Sequence, residues 1–174
     1  MRKLHFADEA ELFAFKAWRS LKLEPPADLG RVAARLKIEV HEREFVPEID
    51  GFYLRLPGAP PVIAVNNSYV KPLARRRFTL AHEIGHHLLG RAISPNRRYF
   101  VFDTATARRS ILERACDRFA TMLLMPEDLT REFYQELSHN PSNRVAILSA
   151  RFGVSAPALR RRLRELGLSI WTRR

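Results

Sequence analysis

The chain is poor in cysteine, glycine and long apolar runs, and each shortage excludes a class of protein. Its single cysteine, Cys116, cannot form a disulfide within the chain, which argues against a disulfide-stabilised secreted domain and favours a reducing compartment. Its 7 glycines follow no period, which excludes a collagen-like fibre. No stretch approaches the ~20 consecutive apolar residues of a membrane span, and the basic start leads into acidic residues instead of the apolar core of a signal peptide. We therefore expect a cytoplasmic protein that does not enter a membrane.

Acidic residues are also scarce, with 19 Asp and Glu against 30 Lys and Arg, so that the formal net charge is +11 at pH 7. The imbalance is greatest from Arg144 onward, where eight arginines are opposed by Glu165 alone and supply seven of the eleven excess charges. Clustered positive charge indicates a negatively charged partner, with nucleic acid the first choice. The composition, 46% hydrophobic and 28% charged over 174 residues, is otherwise typical of one globular domain, with a small appendage at most.

The spacing of apolar residues predicts an α+β fold. Helical periodicity predicts seven helices, at about 6–23, 28–36, 70–90, 108–124, 127–138, 142–152 and 156–166. Between Ile38 and Val65 the period changes to two, and prolines and glycines divide this region into three short strands. Residues 91 to about 107 are predicted to form a loop. We therefore expect a small three-stranded sheet packed on helices.

One helical segment contains the pattern His-Glu-x-x-His, formed by His82, Glu83 and His86. Two histidines four residues apart lie on one face of a helix, so both rings can bind the same metal ion. The glutamate beside them can reach a water on that metal and act as a general base. Gly85 within the motif would let another backbone approach the same face. The alternative, two ordinary surface histidines, is disfavoured because the segment is strongly apolar and buried imidazoles without partners would cost free energy.

A catalytic zinc ion takes three protein ligands and keeps one open position, so a further ligand is expected downstream. Glu113 is the best placed, because Asp117 follows it by one helical turn on the same face. One carboxylate can then bind the metal while the other accepts a hydrogen bond from a ligand histidine. Three other carboxylates lack such a pair: Asp103, Glu127 and Asp128. The alternative for Glu113 and Asp117 is a pair of solvated charges that interact with Arg109 or Arg114.

Other polar residues have less defined roles. His87 points away from the expected ion by helix geometry, and we expect it to be packed or to support a ligand. The group that would stabilise an oxyanion is not identified by spacing. The chemically capable side chains are Tyr53, Tyr69, Tyr99, Tyr134 and His139.

Several separate motifs together resemble the ImmA/IrrE family of gluzincin-like metallopeptidases. They occur in the order typical of that family and span about Phe6 to Leu137. The matching segments are 50–53, 63–66, 76–87 and 113–126. The resemblance implies one zinc ion per chain on His82, His86 and Glu113, with Glu83 as the general base.

The chain departs from the family pattern at two positions. Cys116 stands where alanine is common, and Asp117 stands where asparagine is common. Both replacements should keep the site working, and Cys116 is best interpreted as a small packed residue and not as a nucleophile. The resemblance thus predicts a zincin-like metallopeptidase domain over residues 1–138.

Residues 139–174 are predicted to form a basic helix-turn-helix-like element. A glycine at a tight turn, Gly153, is followed by Ser155 as helix N-cap and by Pro157 in the first turn, where its missing N–H costs nothing. The second helix carries four arginines: Arg160, Arg161, Arg162 and Arg164. They could contact nucleic-acid phosphates, or they could form a solvated basic face on a helix pair packed against the peptidase. The resemblance favours docking of a protein substrate slightly over independent DNA reading.

Two functions from different classes remain open at this point. The first is an intracellular zinc endopeptidase whose substrate, by resemblance, is a DNA-binding repressor with a helix-turn-helix, so that cleavage derepresses genes of a mobile element or a stress response. The second is a non-catalytic DNA-binding or antitoxin-type regulator that retains the peptidase scaffold. Intact ligand positions and an intact Glu83 favour the enzyme, because a site that no longer catalyses a reaction has no physical reason to keep its general base. An unselective housekeeping protease is disfavoured by analogy alone.

Overall fold

The computed structural model describes residues 6–93, 98–104, 110–139 and 142–169. Within these ranges the chain forms seven helices and four strands. In chain order the elements are α1 (Phe6–Leu21), α2 (Leu29–Arg35), β1 (Glu39–Arg43), β2 (Ile49–Arg55), β3 (Val62–Asn66), α3 (Leu73–Ile93), β4 (Tyr99–Thr104), α4 (Ile111–Leu124), α5 (Glu127–Glu136), α6 (Arg144–Phe152) and α7 (Ala156–Glu165). The α+β class predicted from periodicity is therefore confirmed.

Short polar side chains define where the helices begin. The carboxylate of Asp28 accepts a hydrogen bond from the backbone N–H of Arg31 at 3.0 Å, which caps α2. The hydroxyl of Ser155 accepts one from the backbone N–H of Ala158 at 3.3 Å and caps α7 in the same way. Such caps satisfy amide groups that have no partner inside the helix.

The sheet has four strands, in the order β1-β3-β2-β4, and the prediction of three was incomplete. Strand β1 runs parallel to β3, whereas β2 is antiparallel to both β3 and β4. Strand β4 lies in the segment predicted to be a loop, and its register pairs Phe100 with Leu54 and Val101 with Tyr53. Its apolar run is short and follows a basic pair, and its partner β2 is distant in sequence. The segment alone therefore does not predict a strand, because β4 forms by pairing with β2.

Helix α3 is the central layer of the fold, because it contacts β2 and β3 on one side and α4 on the other. The sheet approaches α3 closely at Gly51, where an added Cβ would lie 2.7 Å from a side-chain atom of Thr79. Helix α1 covers the far side of α4. Large side chains that are fully buried in this core include Tyr53, Ile63, Ile84, Phe119 and Leu123.

Helices α6 and α7 form a pair joined by a tight turn at Gly153, which adopts the left-handed conformation with φ of 64°. Leu148, Phe152, Leu159 and Leu163 are buried and belong to the same apolar core as the other helices. The residues that make this turn and cap are those expected from the sequence. The helix-turn-helix character of the pair and a domain boundary at residue 138 stay predictions.

None of the helices that the structure describes is long and apolar enough to cross a membrane.

Candidate metal centre

Helices α3 and α4 bring together His82, His86 and Glu113. The two Nε2 atoms of the histidines are 3.1 Å apart. The Glu113 carboxylate lies 3.1 Å from Nε2 of His82 through one oxygen and 3.2 Å from Nε2 of His86 through the other. The histidines are buried, and the side chain of Glu113 is 21% exposed. Three potential ligand atoms thus converge on one point that solvent can reach from the side of Glu113.

The convergence depends on a close contact between the two helices. A Cβ added at Gly85 would lie 3.2 Å from Cα of Cys116 and 3.2 Å from a ring carbon of Phe119, which is tighter than ordinary packing allows. Cys116 is itself small and fully buried at this contact. The expectations that Gly85 permits a close approach and that Cys116 is a packed residue are both confirmed. Helix α4 begins one turn before the contact, where the hydroxyl of Ser110 accepts the backbone N–H of Glu113.

Each histidine is oriented through the ring nitrogen that faces away from the shared point. Nδ1 of His82 lies 3.0 Å from Oδ1 of Asp117, and Nδ1 of His86 lies 3.3 Å from the hydroxyl of Tyr99. The Asp117 carboxylate can only accept, so it favours the His82 tautomer in which Nδ1–H donates and Nε2 carries a lone pair, and the Tyr99 hydroxyl is able to accept from Nδ1–H of His86 in the same way. Two imidazole nitrogens and a carboxylate that face one another in this way are suited to bind a cation.

The electrostatics of the cluster favour an ionised carboxylate beside neutral polar groups. Hydrogen bonds with His82 and His86 hold the pKa of Glu113 well below its usual range and outweigh the opposite effect of burial. Burial raises the pKa of Tyr99, and the nearby charges of Glu113 and Glu83 raise it further, so the phenol stays protonated near neutral pH.

The donor set fits zinc. Two imidazole nitrogens and one carboxylate oxygen form one of the ligand sets of catalytic zinc sites. Tetrahedral zinc with bonds of about 2.0–2.1 Å separates neighbouring ligand atoms by about 3.3 Å. The two histidine Nε2 atoms are 3.1 Å apart, close to that value, and with one atom taken from each residue all three ligand atoms lie within 4.8 Å of one another. Within the residues that the structure describes, these three form the potential metal-binding group.

The sequence profile of the Peptidase_M78 family, described as the IrrE N-terminal-like domain, matches residues 33–164. The chain belongs to this family. The resemblance found in the sequence motifs is therefore confirmed, and the M78 family is one of peptidases. The matched range includes all of α3 and α4 and extends into α7.

One solved structure similar to this M78 chain is a Mycobacterium tuberculosis transcriptional regulator. The two are 19% identical and superpose with a TM-score of 0.51, over 92% of this chain and 47% of the other. At that identity the likeness supports the fold alone. The M78 chain spans about half the length of the regulator. The search of curated proteins found no match.

Glu83 is fully buried on α3 between the two histidines of the M78 motif. Its charge acts on Tyr99, which contacts His86. The predicted general base is therefore a buried carboxylate close enough to Tyr99 to affect its pKa, and its catalytic role stays a prediction.

His87 faces the sheet and not the metal centre, as expected from helix geometry. Its Nδ1 lies 3.0 Å from the hydroxyl of Tyr53, and both side chains are buried. Burial, assisted by the charges of Arg91 and Arg55, lowers the pKa of His87 to about 4. The ring is therefore neutral at neutral pH, which confirms the interpretation of His87 as a packed residue.

Tyr99 is the residue at the centre whose role the sequence did not specify. It was one of five side chains capable of assisting catalysis, and its position became clear only with strand β4. The hydroxyl of Tyr69, by contrast, belongs to a residue that is 96% exposed. Tyr99 pairs with Arg55 in the register of β4 with β2. Its position in the sheet therefore depends on a pairing that the sequence did not predict.

Two of the three alternative ligands, Glu127 and Asp128, do not join the cluster. Glu127 pairs with Arg131 at 2.8 Å on the surface of α5, and Asp128 is exposed on the same helix. Asp103 is in β4, but its side chain is not among the described ones. Arg109, offered as a surface partner of Glu113, lies outside the described residues, and Glu113 contacts the two histidines instead.

The four arginines predicted as one basic face divide into two groups. Arg160, Arg161 and Arg164 are exposed on α7. Arg162 is only 7% exposed, and its Nε donates to the backbone carbonyl of Met125 at 3.1 Å. Arg162 is therefore not part of an exposed basic face, because it lies on the same side of α7 as buried leucines, and its part in docking stays a prediction. Two further arginines of the basic tail, Arg173 and Arg174, lie outside the described residues.

Proposed function

We propose that this M78 chain is a zinc-dependent endopeptidase with one zinc ion on His82, His86 and Glu113. The observation that carries the proposal is the convergence of three metal-binding atoms beside a buried glutamate, in a family of peptidases. A structural zinc site would have a fourth protein ligand. Within the described residues the group has three members, which leaves a position for water and substrate.

The chemistry follows from the positions of the chain's own groups. Zinc bound there would supply a Lewis acid and lower the pKa of a water molecule toward neutrality. Glu83 accepts the proton of the attacking water and returns it to the leaving nitrogen of the peptide bond. Asp117 and Tyr99 keep the two histidine rings in the tautomer that leaves Nε2 free.

The substrate that we propose is a DNA-binding repressor with a helix-turn-helix. We propose that the chain cleaves it in the cytoplasm. Its cleavage would derepress genes of a mobile element or a stress response. Three exposed arginines on α7 support a partner that is acidic or is bound to DNA: Arg160, Arg161 and Arg164. The similarity to a protein named as a transcriptional regulator is consistent with a role in gene control.

A non-catalytic regulator is the second candidate. It is favoured by the same exposed arginines and by the name of the similar structure. Such a protein would bind DNA or its partner without cleaving it, and its binding would not depend on Glu83.

Zinc content and cleavage together distinguish the two candidates. We expect about one zinc per purified chain, and loss of that zinc in the His82→Ala/His86→Ala double variant. The matched control is His41→Ala, which removes an exposed histidine on β1. Purified protein with no stoichiometric metal would contradict the proposal.

The second arm uses Glu83→Gln, which removes the proton carrier and keeps all three proposed ligands. We expect this variant to retain zinc and fold and to lose cleavage of a repressor encoded beside the gene. Full cleavage by Glu83→Gln would exclude this role for Glu83. The regulator would be favoured if the wild type holds zinc and leaves every tested repressor intact, and if the wild type and Glu83→Gln bind DNA equally well.

A further inference from the structure

A cavity lies between the first half of α3, helix α4 and the α7 region. Its volume is about 510 Å³, which is within the range of small-molecule sites. None of the three proposed metal ligands lines it. It meets the metal centre through Asp117, which lines the cavity and contacts His82.

The lining of this cavity is rich in arginine. Two of its five arginines are engaged by carboxylates that do not line it, since Arg75 pairs with Asp50 and Arg118 pairs with Glu11. The other three arginines are Arg114, Arg161 and Arg162. The lining also contains two acidic side chains, Asp117 and Glu165. The cavity therefore keeps an excess of positive charge after its internal pairs are counted.

Arg162 is buried in the wall of the cavity with an unused hydrogen-bond donor. Its side chain is 8% exposed, and Nε is satisfied by the carbonyl of Met125. Nη1 lies 3.6 Å from Glu165, and Nη2 has no hydrogen-bond partner among the described residues. Burial lowers the pKa of this guanidinium. Nη2 is itself shielded from solvent, so an oxyanion in the cavity would offset part of the cost of this buried charge through electrostatic attraction and not through a hydrogen bond to Nη2.

Arg161 is the second arginine that α7 contributes to the cavity. It is exposed, and no described residue forms an ion pair or hydrogen bond with it. Planar guanidinium groups bind the oxygens of phosphates and carboxylates with two parallel hydrogen bonds. The guanidinium group of Arg161 can therefore bind a compact anionic head group, with the buried charge of Arg162 in the same lining.

The rest of the wall is apolar. Phe78, Met122 and Pro157 line the cavity together with the arginines. A pocket that joins apolar surface to a few charged groups is typical of sites for small organic ligands. A bare inorganic ion would leave this surface unused.

We propose that this cavity binds a small organic anion, with its phosphate or carboxylate group on Arg161, attracted also by the buried charge of Arg162, and its apolar part against Phe78, Met122 and Pro157. This site is separate from the metal centre, so the proposal holds whether or not the chain cleaves peptides.

Calorimetric titration of the full chain tests the proposal with three probes: phenyl phosphate, phenylacetate and inorganic phosphate. We expect one aromatic anion to bind saturably, with one molecule per chain and more tightly than inorganic phosphate. The head group of the tighter aromatic probe distinguishes a phosphate ligand from a carboxylate ligand. Absence of saturable binding by both aromatic anions up to about 10 mM would overturn the proposal.

Variants of α7 locate the site. Arg161→Gln should weaken binding of the aromatic anion by roughly tenfold or more, because one charged hydrogen-bond partner is lost. Arg160→Gln and Arg164→Gln are matched controls, since both arginines are exposed on the same helix and neither lines the cavity. Equal weakening by all three variants would indicate attraction to surface charge and would overturn the proposal.

The apolar wall provides a variant that does not touch any charge. Met122→Ala should weaken binding of the aromatic anion and leave inorganic phosphate unaffected, with the fold checked by circular dichroism. Unchanged affinity for the aromatic anion in a folded Met122→Ala protein would contradict the proposed position of the ligand.

Discussion

Asp117 on α4 and His82 on α3 are joined by a contact of 3.0 Å between Oδ1 and Nδ1. The same α4 helix supplies Glu113 one turn earlier, so a single helix provides both a proposed ligand and the group that orients another ligand. Any shift of α4 against α3 would therefore change both the position of Glu113 and the contact between Asp117 and His82. The tight packing at Gly85 opposes such a shift.

We predict that Asp117→Ala weakens zinc affinity or activity by about 10- to 100-fold, because His82 loses the acceptor that fixes its tautomer. Asp117→Asn should do less harm, since an amide oxygen can still accept the hydrogen bond. Competition with a zinc chelator measures the affinity. Asp128→Ala, which removes an exposed carboxylate on α5, is the control. Equal affinity in the wild type and Asp117→Ala would exclude this role.

Tyr99 has the corresponding relationship to His86, at 3.3 Å. We predict that Tyr99→Phe lowers zinc affinity by less than Asp117→Ala, because a neutral phenol is a weaker hydrogen-bond acceptor than a carboxylate. The same chelator competition measures the effect. Tyr69→Phe removes a hydroxyl from a residue that is 96% exposed and should leave the affinity unchanged. A larger loss in Tyr99→Phe than in Asp117→Ala would contradict this ranking.

Much of the metal centre could be predicted because its information is local. The spacing of His82 and His86 places both rings on one helix face whatever the rest of the fold does. The pairing of Glu113 with Asp117 is local in the same sense. The relative position of α3 and α4 is not local, but Gly85 within the motif indicated that a neighbour must come close.

Strand β4 was missed because strand pairing joins distant segments. Its edge position in the sheet depends on β2, and nothing within the segment specifies that partner. The role of Tyr99 was missed for the same reason.

The burial of Arg162 could have been predicted, because the spacing of the neighbouring leucines indicates it. Arg162 lies three residues after Leu159 and four before Leu166, both of which are buried. Charge alone had suggested that it was exposed.

Asp50 gives a prediction on stability and pH. It is 3% exposed at the start of β2 and pairs with Lys71 at 2.7 Å and with Arg75, both near the start of α3. Burial alone would raise the pKa of Asp50, but the hydrogen bonds and charges of Arg75 and Lys71 outweigh it and lower the pKa below 3.8. A lowered pKa means that the folded state favours the ionised form. The stabilisation is therefore complete above the ordinary pKa and is lost as pH falls through the folded-state value.

We accordingly predict that Asp50→Asn lowers the free energy of unfolding by about 1–3 kcal/mol near neutral pH. The difference from the wild type should shrink in acid, below the ordinary value of 3.8. Urea unfolding at a series of pH values measures it. Glu48→Gln, at an exposed carboxylate two residues earlier, should have little effect at any pH. A difference that grows on acidification would show that the sign is wrong.

The exposed arginines of α7 are predicted to act in the encounter with the partner and not in the chemistry. Arg160 and Arg164 are exposed, and neither lines the cavity beside the metal centre. Each can neutralise a phosphate or an acidic patch without contact to the proposed ligands. The double variant Arg160→Ser/Arg164→Ser should therefore hydrolyse a short peptide at the wild-type rate. It should cleave a full-length repressor more slowly or bind DNA more weakly.

Salt provides the internal control for this prediction. Attraction between exposed charges is screened within about 8–10 Å at physiological ionic strength, so the defect of the double variant should shrink as salt is raised. Initial rates of repressor cleavage and DNA affinity, each measured across a salt series, test this directly. Loss of short-peptide hydrolysis in a folded double variant would assign these arginines to the catalytic centre instead. Wild-type cleavage of the repressor together with wild-type DNA binding at low salt would exclude a role for them in the encounter.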